Sequence, residues 1–139
     1  MSEDRSLFGE GRYPETGPLA ILARLGFLLS PLAIIAAVVL PPWVAPHFAR
    51  SHYLEHFAAF YVATLCGMAA MPRTRLRRIG TGYLIFAALL EAAHIVVGAP
   101  LRPLLDNWAA DVGGTATALT PVVIERFRRR CMAPASAGN

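Results

Sequence analysis

Charged residues in this chain stand at the borders of long apolar runs and are absent inside them. No Asp, Glu, Lys or Arg occurs between Leu25 and Val44, between Phe57 and Met71, between Ile79 and Leu90, or between Val112 and Ile124. The sequence is 55% hydrophobic and only 16% charged over 139 residues. Soluble domains carry roughly 25% charged residues. A soluble core of this size would leave much of the apolar surface with nothing to bury it, which argues against a soluble enzyme. Runs of about 17–25 apolar residues are what bilayer hydrocarbon selects.

The expected fold is therefore all-α, an integral membrane bundle of four transmembrane helices. They fall at about 21–44, 53–71, 79–98 and 106–124. The transmembrane domain spans 18–125, between an N-terminal cytoplasmic tail (1–17) and a basic cytoplasmic tail (126–139). Pro31 lies inside the first run, where membrane helices tolerate it. Pro41 and Pro42 end that run and Pro72 ends the second, while Gly98, Pro100 and Pro103 break the third.

Arginine sets the orientation. The link between the second and third runs carries Arg73, Arg75, Arg77 and Arg78, and the C-terminal tail carries Arg126, Arg128, Arg129 and Arg130. The other two links hold Arg50 and Arg102 alone. The positive-inside rule puts the basic link and both termini in the cytoplasm, an N-in, C-in topology in the bacterial inner membrane. Trp43 and Trp108 then sit at the outer interface as an aromatic belt. The sequence pI of 9.7 reflects these headgroup-facing arginines, with no folded polar domain to present them to nucleic acid, so no nucleic-acid partner is expected. The N-terminus lacks the basic start and early apolar stretch of a secretory signal, so the first run is expected to be retained. Cys66 and Cys131, at opposite depths, read as free thiols.

That topology brings polar residues from three segments to one depth on the outer side. His52, Glu55 and His56 open the second helix, Glu91 and His94 lie in the outer half of the third, and Asp106, Asn107 and Asp111 open the fourth. Helical spacing gathers them onto faces that also carry small residues: His52, His56, Ala59, Ala63 and Gly67; Ala87, Glu91, His94 and Gly98; Asn107, Asp111, Gly114 and Ala118. Small residues let membrane helices approach closely.

At these residues the chain resembles the VanZ-like family of small bacterial membrane proteins, one of which is linked to teicoplanin resistance. The family's second helix opens Ser-Asp-Lys-x-x-His-Phe-x-x-Tyr, and Ser51, His56 and Phe57 match, with His52, Tyr53 and Phe60 at the Asp, Lys and Tyr positions. Glu91-Ala-Ala-His94 stands for the family's Glu-x-x-Gln, Arg102 for its loop arginine. Asn107-Trp-Ala-Ala-Asp111-Val-Gly-Gly114 stands for its Asp-x-x-x-Asn-x-x-Gly with the acid and amide exchanged, and a second register puts Asp106, Ala110 and Gly113 at the Asp, Asn and Gly positions. The resemblance runs from about Ser51 to Ile124 and implies a four-helix inner-membrane protein.

Two motifs suggest metals. His52-Tyr-Leu-Glu55-His56 spells the inverted zinc-protease signature H-x-x-E-H, although the family pattern has Asp at position 52. Glu91-x-x-His94 is one helical unit of a di-iron site, which needs two such units and two further glutamates. The expectation is accordingly no metal and no cofactor, with His52 and His56 the nearest candidates for ligands. Intramembrane ionisable residues are functional by default, so Glu91, His56, His94 and Asp111 are the candidate catalytic groups. Arg102, Asn107, Asp106 and Glu55 are the candidate ligand-binding ones. The site would bind or modify an amphiphile, a phospholipid or a polyprenyl-linked cell-envelope intermediate. The alternative is a non-catalytic accessory subunit of a larger membrane complex. The residues do not decide whether the chain is an enzyme.

Overall fold

The computed structural model describes residues 17–40, 44, 51–96 and 101–132. Trp43, Arg50, Gly98, Pro41, Pro42, Pro100, most of the N-terminal tail and the segment from 133 onward lie outside the described residues. Within them the chain is all-helical, with no strand: α1 (Pro18–Val39), α2 (His52–Ala70), α3 (Leu76–Val96) and α4 (Leu101–Met132).

Proline accounts for most of the boundaries. Pro18 opens α1 at a position whose N–H has no helical partner. Leu40 is extended (φ −70°, ψ 145°) because the ring of the next residue, Pro41, disfavours helical backbone before it. Met71, ahead of Pro72, leaves the helical region likewise. Pro103 does not separate α3 from α4, as the sequence suggests, but lies in the first turn of α4, where a missing N–H costs nothing. Pro31 and Pro121 both sit inside helices that continue past them.

The last helix departs most from expectation. It begins five residues before position 106 and runs 32 residues, through the Glu125–Arg130 segment to Met132. At 1.5 Å per residue it is about 48 Å long, well beyond the ~30 Å hydrocarbon thickness of a bilayer. Residues 126–132, the first part of the basic tail, are therefore helix. Glu125 supports that extension by accepting a 2.7 Å hydrogen bond from Arg129 one turn on.

α2 is the centre of the bundle. It packs most extensively on α4, next on α1 and least on α3, while α4 also covers α3. The α2–α4 contact is close because Gly114 faces backbone: a Cβ there would collide with the Phe57 carbonyl oxygen and lie 3.0 Å from the Tyr61 nitrogen. Gly67 similarly faces the ring of Tyr83, whose hydroxyl donates a 2.6 Å hydrogen bond to the Ala63 carbonyl. Phe60, Ala63, Ile79, Tyr83 and Ala87 form the buried apolar core. The small-residue faces expected on α2 and α4 are thus the buried ones: Ala63 and Gly67 on α2, Gly114 and Ala118 on α4.

α1 and α3 are long and apolar enough to cross a membrane, with mean hydropathies of 2.2 and 1.6 over their best windows. α1 buries none of its residues. Leu22, Leu28, Leu29 and Leu32 all point outward, each more than half exposed. Cys66 and Cys131 are free thiols.

Candidate functional site: a buried His–Glu–Asp cluster

Helix α2 starts, α3 ends and α4 starts at one end of the bundle, because a five-residue link (71–75) joins α2 to α3 and only residues 97–100 separate α3 from α4. The arginines of the 71–78 segment and of the end of α4 lie at the other end. At the first end three helices each deliver one ionisable side chain to a common point. His56 Nδ1 and Asp111 Oδ1 are hydrogen-bonded at 2.9 Å across the α2–α4 contact. Ligand-capable atoms of His56, Asp111 and Glu91 all lie within 4.8 Å of one another.

The burial is deep. Asp111 is 1% exposed and Glu91 6%. Asp111 Oδ2 and both carboxylate oxygens of Glu91 are buried and accept no hydrogen bond from any of the described residues. His94, one turn from Glu91, approaches it at 3.5 Å, too far for a good hydrogen bond. Asn107, 7% exposed and one turn before Asp111 on the same face of α4, also has a buried Oδ1 without a partner among the described residues. Native interiors leave few buried polar atoms unpaired, and a carboxylate is the costliest to leave so. With the ring nitrogen Nδ1 of His94, five such atoms at the start of α4 and the end of α3 mark a site rather than filler.

Of the expected catalytic group, the structure brings His56, Glu91 and Asp111 together, with His94 at the edge of the cluster. Of the expected ligand-binding group, only Asn107 is buried here. Arg102 and Asp106 are exposed on the first turns of α4, because each is offset from the Asn107–Asp111 stripe. Glu55 pairs with His52 at 3.8 Å. The H-x-x-E-H motif is consequently split: His52 is exposed and sits edge-on to the His56 ring, while His56 turns inward to Asp111. Ligand-capable donors converge around His56, Glu91 and Asp111 rather than around His52 and His56, a different set from the one the motif suggests.

The floor of the cluster was not singled out from the sequence. Thr64 and Thr115 are fully buried below it, their hydroxyls 3.5 Å apart. The signal was present: His56, Phe60 and Thr64 repeat every four residues on α2, and Asp111 and Thr115 do on α4. No family model, curated protein or solved structure matches the chain.

Proposed function

We propose that this chain is a four-pass protein of the bacterial inner membrane with both termini in the cytoplasm. On this reading it is VanZ-like, and its polar cluster opens toward the outer side to bind or modify the head of an amphiphile. The substrate class is a phospholipid or a polyprenyl-linked cell-envelope intermediate. The observation that carries the reading is the meeting of His56, Glu91 and Asp111, from three helices, with carboxylate oxygens left unpaired in an apolar bundle. Ionisable groups held at that cost inside a membrane protein are characteristic of working sites.

Two features support a membrane setting for all four helices. α1 and α3 qualify by length and apolarity alone. Of the mid-helix polar residues of α2 and α4, Thr64, Asn107, Asp111 and Thr115 are turned inward, while Thr117 and Thr120 face outward, the Thr120 hydroxyl donating to the Ala116 carbonyl of its own helix. The exposed charges of α4 lie near its ends, Arg102 and Asp106 at one and Glu125 to Arg130 at the other. An average around such a helix understates how apolar its outer surface is. In use, Arg102 at the rim attracts the phosphate of the headgroup, and Glu91, His56 and His94 take up or release protons below it.

A second reading, an accessory subunit of a larger complex, draws support from α1, which buries nothing in this chain and offers a whole helical face to a partner. Native mass spectrometry of the full chain in mild detergent separates the two. A functional lipid site retains one phospholipid or polyprenyl phosphate per chain, and Arg102→Ala weakens that retention by about tenfold. A stoichiometric partner polypeptide with no retained lipid decides for the subunit. Reporter fusions after Thr74 and Gly138 should both read cytoplasmic, and a periplasmic signal at either would overturn the topology.

A further inference from the structure

We infer that His56, Glu91 and Asp111 hold a single divalent transition-metal cation of the zinc or manganese type, a different site from the H-x-x-E-H motif. The donor set is an imidazole nitrogen and two carboxylates, from three different helices, with all three ligand atoms inside 4.8 Å. Bonds of about 2.0–2.2 Å to one tetrahedral cation put two donors roughly 3.3–3.6 Å apart, so each donor of a pair 4.8 Å apart moves by well under about 1 Å. Side-chain rotation of less than about 1 Å therefore closes the set, and no helix need move.

The second observation is the state of the oxygens. Asp111 Oδ2 and both Glu91 oxygens accept no hydrogen bond from the described residues, their residues being 99% and 94% buried, and the nearest ring nitrogen to Glu91 Oε2 is that of His94 at 3.5 Å. His56 and His94 offset the two carboxylates only when both imidazoles are protonated, and even then Asp111 Oδ2 and Glu91 Oε1 have no donor among the described residues. A divalent cation offsets both and uses the lone pairs that no donor reaches. Asn107 adds a further buried carbonyl oxygen one turn before Asp111. Mixed nitrogen and oxygen ligation suits zinc, manganese or ferrous iron, whereas magnesium prefers oxygen alone and retains its waters.

This assignment rests on reading the cluster as a functional site, and it removes an obstacle to that reading. Two buried carboxylates repel an anionic headgroup, but a cation between them attracts one and can bridge to a phosphate oxygen.

The experiment uses the full chain in detergent, stripped with a chelator and titrated with zinc alone, with bound metal measured by elemental analysis after gel filtration. The expected result is one zinc per chain. Asp111→Asn and Glu91→Gln, which preserve side-chain volume, should each weaken binding by on the order of 100-fold. His52→Ala should leave stoichiometry and affinity unchanged. Cobalt added to the wild-type chain should give d–d absorption bands of nitrogen and oxygen ligation, a readout that stands even where a variant does not fold. Failure of the wild type to bind one zinc overturns the assignment, as does binding that His52→Ala abolishes and Asp111→Asn spares. Because the titration contains no added lipid, its failure leaves the lipid-retention result to stand or fall separately.

Discussion

α1 and α4 invert the relation between apolarity and burial that holds in water. α1 is the most hydrophobic helix, and none of its residues is buried. α4 does not reach the apolarity of a membrane span, yet it buries Leu104, Asn107, Asp111, Gly114, Thr115 and Ala118. In a soluble protein the apolar helix goes inside because water rejects it. In hydrocarbon, lipid tails accept a leucine as readily as another helix does, and association depends on close backbone packing and on polar groups that need partners. α4 supplies both, with backbone contact at Gly114 and the buried carboxylate of Asp111, whereas α1 offers only the approach of Gly26 to the Cys66 side chain and the hydroxyl of Ser30.

The largest effect should come from the backbone contact that allows α4 to dock. Gly114→Val forces a side chain into the Phe57 carbonyl and the Tyr61 nitrogen, which cannot rotate away. The expected cost is about 3 kcal/mol or more, read as loss of monodispersity and an early thermal transition in detergent. A variant that melts with the wild type would show that α2 and α4 are not held backbone to backbone.

His56→Ala tests the polar half of the same contact. Removing the ring strips Asp111 of its 2.9 Å partner. The expected loss is about 2 kcal/mol, between the ~1 kcal/mol of an interhelical membrane hydrogen bond and the ~3 kcal/mol of a broken buried pair. Zinc in the buffer should not restore the lost stability, since the imidazole is itself one of the proposed ligands.

Leu28→Ala on α1 should change almost nothing. Leu28 is 58% exposed, and its removal opens no cavity, so thermal stability in detergent should shift by less than ~0.5 kcal/mol. A large loss would mean that the outer face of α1 is covered by another copy or a partner, which would favour the subunit reading.

Much of the bundle was legible from spacing. The small-residue stripes of α2 and α4 and the clustering of Glu91, His56 and Asp111 follow from a helical repeat of 3.6 residues and from short links that return the chain to the same end. Arg102 stands at the rim for a reason of angle: it belongs to the same end as Asp111 but not to the same side of α4 as Asn107 and Asp111. H-x-x-E-H puts two histidines one turn apart, and it is His56 that hydrogen-bonds an acid on a neighbouring helix.

Periodicity, the placement of charge and the positions of proline determined from the sequence alone that the chain forms helices, roughly where they begin and end, and which polar residues share a level. These are properties of a single helix, set by backbone geometry and local sterics. Which of those residues meet was decided only by tertiary structure. The rotation of α2 against α4 is set where Gly114 meets the Phe57 carbonyl, and that one contact turns His56 toward Asp111 and leaves His52 and Arg102 at the surface. A rotation about the helix axis costs nothing locally and is invisible in the sequence of either helix, so only the packed pair could determine it.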